Sequence, residues 1–355
     1  MTQAKVTIRH VARQADVSVG TVSNVLNRPE LVSDRTRARV LAAITELGFV
    51  RNESARQLST GRGRVLGLVV LDLTNPFYTD LARGVEDSAT AAGFAVIVCN
   101  TDADPGKEET HLTLLEQQGV QGVLIIPSGD SVAARLRRLR DHGTAVVSLD
   151  HRTADADHCA VGVDDVRGGE LAMAHLLSLG HTQVAYISSS PELAPCRERG
   201  EGARASLAQW GRDPDSLVDV RVPSLGFQNG RDAGMRLLGL YPRPTAVICT
   251  NDLIALGVLQ VLTEHRVAVP DDIAIVGYDD IDFAAAAAVP LTSVRQPRRL
   301  LGRTGADLLL EEVQHVAGHR HRRVVMTPEL VVRSSTTGRQ ARAPVAVEEL
   351  ESAER

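Results

Sequence analysis

From Val65 onward, short apolar runs alternate with stretches of helical periodicity, and no other feature limits so tightly what this 355-residue chain can fold into. The runs are 65–71, 94–99, 120–126, 145–149, 184–187, 218–222, 246–249 and 273–276, with helix candidates at 78–92, 107–118, 166–179, 230–238 and 253–265. Nearly continuous apolar runs suit strands buried on both faces, and their alternation with helices implies parallel sheets covered on both sides. Two groups of four or five strands are too many for one small sheet. The reading is therefore a core over 64–333 of two doubly wound parallel-sheet lobes. The first takes about 64–160 plus 294–325, and the second about 161–290 plus 326–333. The chain would cross between them over 150–160, over 284–294 and near Met326. From Ser334 it turns polar, and 334–355 is expected to be a disordered tail.

Residues 1–50 have a different grammar. Thr7 can cap a helix with Ile8, Val11, Ala12 and Ala15 on one face. A polar break at Asp16-Val17 follows, and Ser18 can cap a second helix with Val22, Val25 and Leu26 inward. Asn27-Arg28-Pro29 ends it, because the residue before a proline is pushed out of the helical region. Ser33 caps a third helix with a stripe of Val40, Leu41, Ile44 and Leu47, closed by Gly48. Three short helices with a tight first turn form an all-α helix-turn-helix domain.

Charge separates the same two parts. Residues 1–64 carry eleven Lys/Arg against five Asp/Glu, a net of +6, so the overall −5 leaves −11 on the remainder. A basic head on an acidic body implies a polyanionic partner for the head alone. The N-terminus lacks the apolar centre of a secretory signal and no apolar run nears ~18 residues, which places the chain in the cytoplasm with no membrane partner. Cys99, Cys159, Cys196 and Cys249 form no C-x-x-C pair and read as reduced thiols. His315, His319 and His321 have metal-like spacing but lie in a basic stretch after a helix, so no metal site is expected there. Gly61-x-Gly63 precedes a strand instead of following one, which argues against dinucleotide binding. His111 and His142 lack a nearby nucleophile motif, and G-x-S-x-G is absent. No cofactor and no catalytic residue is expected.

The segment Val6-Thr7-Ile8-Arg9-His10-Val11-Ala12-Arg13-Gln14-Ala15-Asp16-Val17-Ser18-Val19-Gly20-Thr21-Val22-Ser23-Asn24-Val25-Leu26-Asn27 closely resembles the DNA-binding segment of the LacI/GalR family of transcriptional regulators. The resemblance continues through 51–58, Leu73-Thr74-Asn75-Pro76-Phe77, Asn251-Asp252, 276–280 and 290–297, and spans about Val6 to Arg333. It implies a periplasmic-binding-protein-like α/β core behind the helix-turn-helix domain, with 51–63 as hinge helix and linker. Val19, Gly20 and Asn24 match base-reading positions. Asn24 can pair bidentately with adenine and Val19 can touch a thymine methyl, whereas Gly20 departs from the polar side chain many relatives carry. Thr7, Ser18, Thr21, Ser23 and Asn27 offer short donors suited to phosphates. Ser18 is equally complete as a helix cap. In the hinge, Ala55 is small, Arg56 basic and Leu58 apolar, the composition of a segment that wedges into the minor groove and kinks it.

For the body, the resemblance and the rule that ligands sit beyond the carboxyl ends of strands select the same loops. Asp72, Phe77, Tyr78, Asp150, His151, Asn251 and Asp279 fall there, and Arg199, Leu225 and Gln296 match ligand-contacting positions. Carboxylates, amides and one arginine suit a polyhydroxylated ligand, and Phe77-Tyr78 is the single adjacent aromatic pair for stacking a sugar ring. Purine-binding relatives carry aromatic platforms at positions matching His151 and Leu225. Neither residue is one, so a sugar fits better than a nucleobase.

The function implied is a ligand-controlled transcriptional regulator, expected to be a repressor, binding a pseudo-palindromic operator as a homodimer. Most relatives release DNA on binding a sugar, and some bind it more tightly with a corepressor. The tail offers Val345, Val347 and Leu350 but no sustained heptad for tetramers. A cytosolic sugar-binding protein without regulation is set against the basic head, and an α/β enzyme against the missing catalytic constellation.

Overall fold

Local capping sets the three helices of the head in the computed structural model, which describes residues 6–49, 63–150, 157–315 and 318–337. Helix α1 (Ile8–Gln14) starts where the Thr7 backbone N–H donates to His10 Nδ1 at 3.1 Å. Asp16 then takes the left-handed conformation, φ 51°, and the Val17 N–H donates to the Ala12 carbonyl, which turns the chain into α2 (Val19–Asn27). Ser18 Oγ accepts the Thr21 N–H at 3.0 Å, and Ser33 Oγ does the same for Thr36 at the start of α3 (Asp34–Leu47). Val11, Ala12, Ala15, Val22, Val25, Val40 and Ala43 form the core. Leu41 was expected inside, yet it is exposed and Ala43 takes the buried place. Positions 40, 43, 44 and 47 share one face at 3.6 residues per turn, whereas 41 lies about 100° away.

The chain divides into two units, Met1–Gly63 and Arg64–Arg355. In the second, β1 (Val65–Val70), α4 (Pro76–Ala91), β2 (Ala95–Asn100), α5 (Pro105–Gln117), β3 (Gly122–Ile125), α6 (Ala133–Asp141), β4 (Ala145–Ser148) and β5 (Cys159–Val163) build a first lobe. The second lobe follows with α7 (Asp165–Ser178), β6 (Val184–Ser188), α8 (Ala194–Gln209), β7 (Val218–Arg221), α9 (Phe227–Leu238), β8 (Ala246–Cys249), α10 (Asp252–Glu264), β9 (Ala274–Asp279), α11 (Asp282–Ala286) and β10 (Thr292–Arg295). Helix α12 (Arg298–Val313) returns to pack on the first sheet, β11 (Arg323–Met326) joins that sheet, and β12 (Glu329–Val331) joins the second. The sheet orders are β11-β5-β4-β3-β1-β2 and β12-β10-β9-β8-β6-β7, parallel throughout except for β12 against β10. Among the described residues no helix is long and apolar enough to cross a membrane.

Three expectations change. The stretch 150–160, expected to leave the first lobe, instead contains the start of β5, so the first sheet runs to Val163. Residues 292–295, placed at the return to the first lobe, form a central strand of the second sheet, and the crossing falls at Gln296-Pro297. The expected tail begins too early, because Ser334–Thr337 is a short helix, α13, docked on that sheet. Ser335 Oγ donates to the Ile275 carbonyl at 2.6 Å and accepts the Thr292 N–H at 2.8 Å, while Thr336 Oγ1 meets Thr292 Oγ1 at 2.7 Å. Hydroxyls there satisfy a buried strand end that apolar side chains could not. Of the hinge and linker expected over 51–63, residues 51–62, with Ala55, Arg56 and Leu58, lie outside the described residues, as does the tail beyond Thr337.

Candidate functional site

On the head, the α2 N-terminus presents Ser18, Val19 and Gly20 to solvent, with Asn24 exposed one turn on. Thr21 and Ser23 are half-buried beside them. Thr7 is exposed at the start of α1, and Asn27 Nδ2 donates to Ser23 Oγ at 3.2 Å. Val19 is 43% exposed although it is aliphatic, and the core beneath α2 is already closed by Val22 and Val25. Ser18 does act as the helix cap, with its hydroxyl still at the surface. Seven of the eight head residues singled out from sequence thus lie on α2 or at its cap, and the eighth, Thr7, lies at the start of α1.

In the body, the carboxyl ends of strands from both lobes line a cleft with two connected chambers. Phe77, Tyr78, Asp150, Arg199, Leu225, Asn251, Asp279 and Gln296 line the inner one. Asp72 borders the outer, which shares Asn75, Tyr78, Leu225 and Asn251 with the inner. Asp72 Oδ1 accepts from the N–H and hydroxyl of Thr74, at 2.9 and 2.7 Å, so part of its bonding is spent on its own loop. His151 lies outside the described residues.

Asp279 organises the inner chamber. It ends β9 with φ 99°, a strained conformation for a non-glycine residue, and is 3% exposed. Gln296 Nε2 donates to its Oδ1 at 2.7 Å and Asn75 Nδ2 to its Oδ2 at 3.0 Å. Burial raises its pKa above the ordinary carboxylate value, opposed by Arg199 and by those two amides. Arg199 is itself buried: Nε donates to Asp165 Oδ1 at 2.8 Å, Nη1 to the Thr250 carbonyl at 2.6 Å, and the guanidinium lies 3.5 Å from the Tyr278 ring centroid. Burial works against its charge, but Asp165, Tyr278 and Asp279 outweigh it and raise its pKa. The cleft floor is therefore a fixed charged network, the preorganised polar surface that a ligand rich in hydroxyls requires.

Asn251 caps α10, its Oδ1 accepting the Ile254 N–H at 2.9 Å while Nδ2 donates to the Leu225 carbonyl at 3.0 Å. Asp252, one residue on, is fully buried and turned away, accepting from the Ile281 N–H and the Ser293 hydroxyl. The Phe77 and Tyr78 rings meet edge to face with centroids 5.0 Å apart. Asn75, Asp165 and Tyr278 were not among the residues singled out. Asn75 and Tyr278 sat inside quoted motifs, while Asp165 follows β5, whose strand end was hidden by reading that stretch as a crossover.

A helix-turn-helix head joined to a two-lobed body with a buried polar cleft defines a ligand-responsive DNA-binding regulator. Residues 7–52 match the bacterial regulatory proteins of the lacI family, and residues 173–336 match the periplasmic binding protein-like domain. The chain is 35% identical over 329 residues to the ribose operon repressor of Escherichia coli (strain K12), covering 93% of this chain and 99% of that protein. A LacI family transcriptional regulator from Enterococcus faecium with bound ribose superposes with TM-score 0.70 at 32% identity, covering 77% of this chain and 98% of the other. The lac repressor dimer bound to operator and the anti-inducer ONPF gives TM-score 0.82 at 28% identity over 94% and 99%. This chain belongs to the lacI family of bacterial regulatory proteins, and it is a DNA-binding transcriptional regulator.

Proposed function

We propose that the protein is a cytoplasmic repressor, without enzymatic activity, that binds a pseudo-palindromic operator as a homodimer and whose affinity for it is set by a monosaccharide-like effector in the cleft. The observation that carries this reading is the Asp279 network, in which Asn75 of the first lobe and Gln296 of the crossing segment hold a carboxylate of the second. A sugar hydroxyl donating to Asp279 would bear on contacts that depend on how the lobes are oriented, so the two orientations would bind it unequally. Unequal binding is the requirement for coupling to DNA. Phe77 and Tyr78 supply a stacking surface and Asn251 an amide from the opposite wall. Val19 and Asn24 read bases, Thr7, Ser18, Thr21, Ser23 and Asn27 position the helix on phosphates, and Ala55, Arg56 and Leu58 contact the minor groove.

The test is thermal unfolding against a panel of monosaccharides, headed by ribose, with disaccharides, sugar phosphates and nucleobases alongside. A monosaccharide at about 100 Kd should stabilise the protein by about 2.7 kcal/mol. Asp279→Asn, which replaces an acceptor oxygen by a donor, should weaken that ligand by roughly 1.5–3 kcal/mol while the protein stays folded. A nucleobase as the sole stabilising compound would overturn the sugar reading. Failure to shift any promoter fragment at low salt would overturn the repressor reading.

A further inference from the structure

At the outer edge of the first sheet, three side chains from one strand and one loop converge. Cys159 opens β5, and His319 and His321 lie on the approach to β11, the edge strand hydrogen-bonded to β5. Cys159 Sγ lies 3.6 Å from His319 Nε2 and 3.9 Å from His321 Nδ1, and the three donor atoms all fall within 4.8 Å of one another. Zinc–sulfur and zinc–nitrogen bonds of about 2.3 and 2.0 Å, set tetrahedrally, place sulfur and nitrogen about 3.5 Å apart. The first two separations are close to that edge.

The surroundings also fit. His319 Nδ1 pairs with Glu311 Oε2 at 3.0 Å, so the ring proton is held by the carboxylate and Nε2 presents its lone pair to the sulfur. Arg322 fixes the same carboxylate through Oε1 at 2.8 Å, and its backbone N–H donates to Cys159 Sγ at 3.5 Å, the kind of contact that supports a thiolate. One further acceptor waits nearby: Glu312 Oε2 is buried and has no hydrogen-bond partner among the described residues, and both imidazoles act electrostatically on its carboxyl.

We propose that Cys159, His319 and His321 form a site for a divalent transition cation of the zinc type, with Glu311 orienting His319 and a fourth donor from Glu312 or water. One thiolate and two imidazoles are a borderline-soft set that favours such ions over magnesium or calcium. Bound there, the cation ties the loop after α12 to the β5–β11 edge. On binding, the Cys159 thiol proton is released to solvent and no bond other than those to the metal forms.

Cobalt(II) added to tag-free protein serves as the probe. The expected result is one equivalent bound, with the intense visible bands of a tetrahedral ion and a thiolate-to-cobalt charge-transfer band in the near ultraviolet, displaced by zinc. Cys159→Ser should remove the charge-transfer band. Exposed His321 permits His321→Ala without disturbing the core, and that variant should lose at least tenfold in affinity, as should Glu311→Gln. A spectrum unchanged from aqueous cobalt, or bands that persist in Cys159→Ser, would overturn the proposal.

Discussion

Asp279 and Asp280 are neighbours in sequence, both nearly buried and both at positive φ, yet their carboxyls are pushed in opposite directions. Burial dominates at Asp279 and raises it. At Asp280 burial also acts to raise the pKa, but the pairs with Arg333 and Arg295, at 2.6 and 2.7 Å, overcome it and lower the value. Because the folded-state pKa of Asp280 lies below the unfolded one, its stabilising contribution is complete above the ordinary carboxylate value of about 3.9 and fades as pH falls through the lower folded value. Asp280→Asn should therefore cost roughly 1–3 kcal/mol at neutral pH. In chemical denaturation at a series of pH values, that difference should be constant above pH ~5 and shrink in acid; a difference growing in acid would contradict it. The strand-end rule placed Asp279 at the end of β9, but no sequence rule foretold that its carboxyl and that of Asp280 are pushed in opposite directions, since this depends on which side chains reach each one: Asn75 and Gln296 at Asp279, Arg295 and Arg333 at Asp280.

Among the elements, the α7–α8 pair shows how helix packing sets site geometry. A Cβ on Gly202 would lie 1.9 Å from the Val166 carbonyl oxygen, and one on Gly169 2.0 Å from that of Arg199. The two backbones touch, and this contact holds Asp165 at the start of α7 within reach of Arg199 on α8. Gly202→Ala should force the helices apart, destabilise the protein by about 1–3 kcal/mol and weaken effector binding with it. Gly239→Ala, whose Cβ would meet nothing nearer than 3.6 Å, should leave both near wild type in thermal unfolding and ligand titration. Strands bounded by clear helical stretches were legible to within a residue or three. β5 and β10 were not, because Cys159-Ala160-Val161-Gly162-Val163 and Thr292-Ser293-Val294-Arg295 are interrupted by small and polar residues, and their place is decided by pairing with distant strands.

At the scale of the whole molecule, the division into a basic head and an acidic body is already written in the sequence, and the chain divides into its two compact units at nearly the same point, between Gly63 and Arg64. What the sequence could not express is convergence, whether of Asn75, Asp165 and Tyr278 on the cleft or of Cys159 on two histidines some 160 positions later. The charge division nevertheless governs how the two proposed ligands respond to ions. A head of net +6 would neutralise phosphates and release their counterions, whereas an uncharged polyol bound as proposed at the buried Asp279–Arg199 network would involve no counterion exchange. If a dimer makes about six to ten phosphate contacts, operator affinity should fall about 10³- to 10⁵-fold between 50 and 200 mM salt. Effector affinity over the same range should change less than about twofold, because buried pairs are screened little. Fluorescence anisotropy with an operator fragment and calorimetry with the effector, run in the same salt series, would measure both slopes. Equal salt dependence for the two ligands would mean that the effector is charged, or that the body also takes part in binding the polyanion.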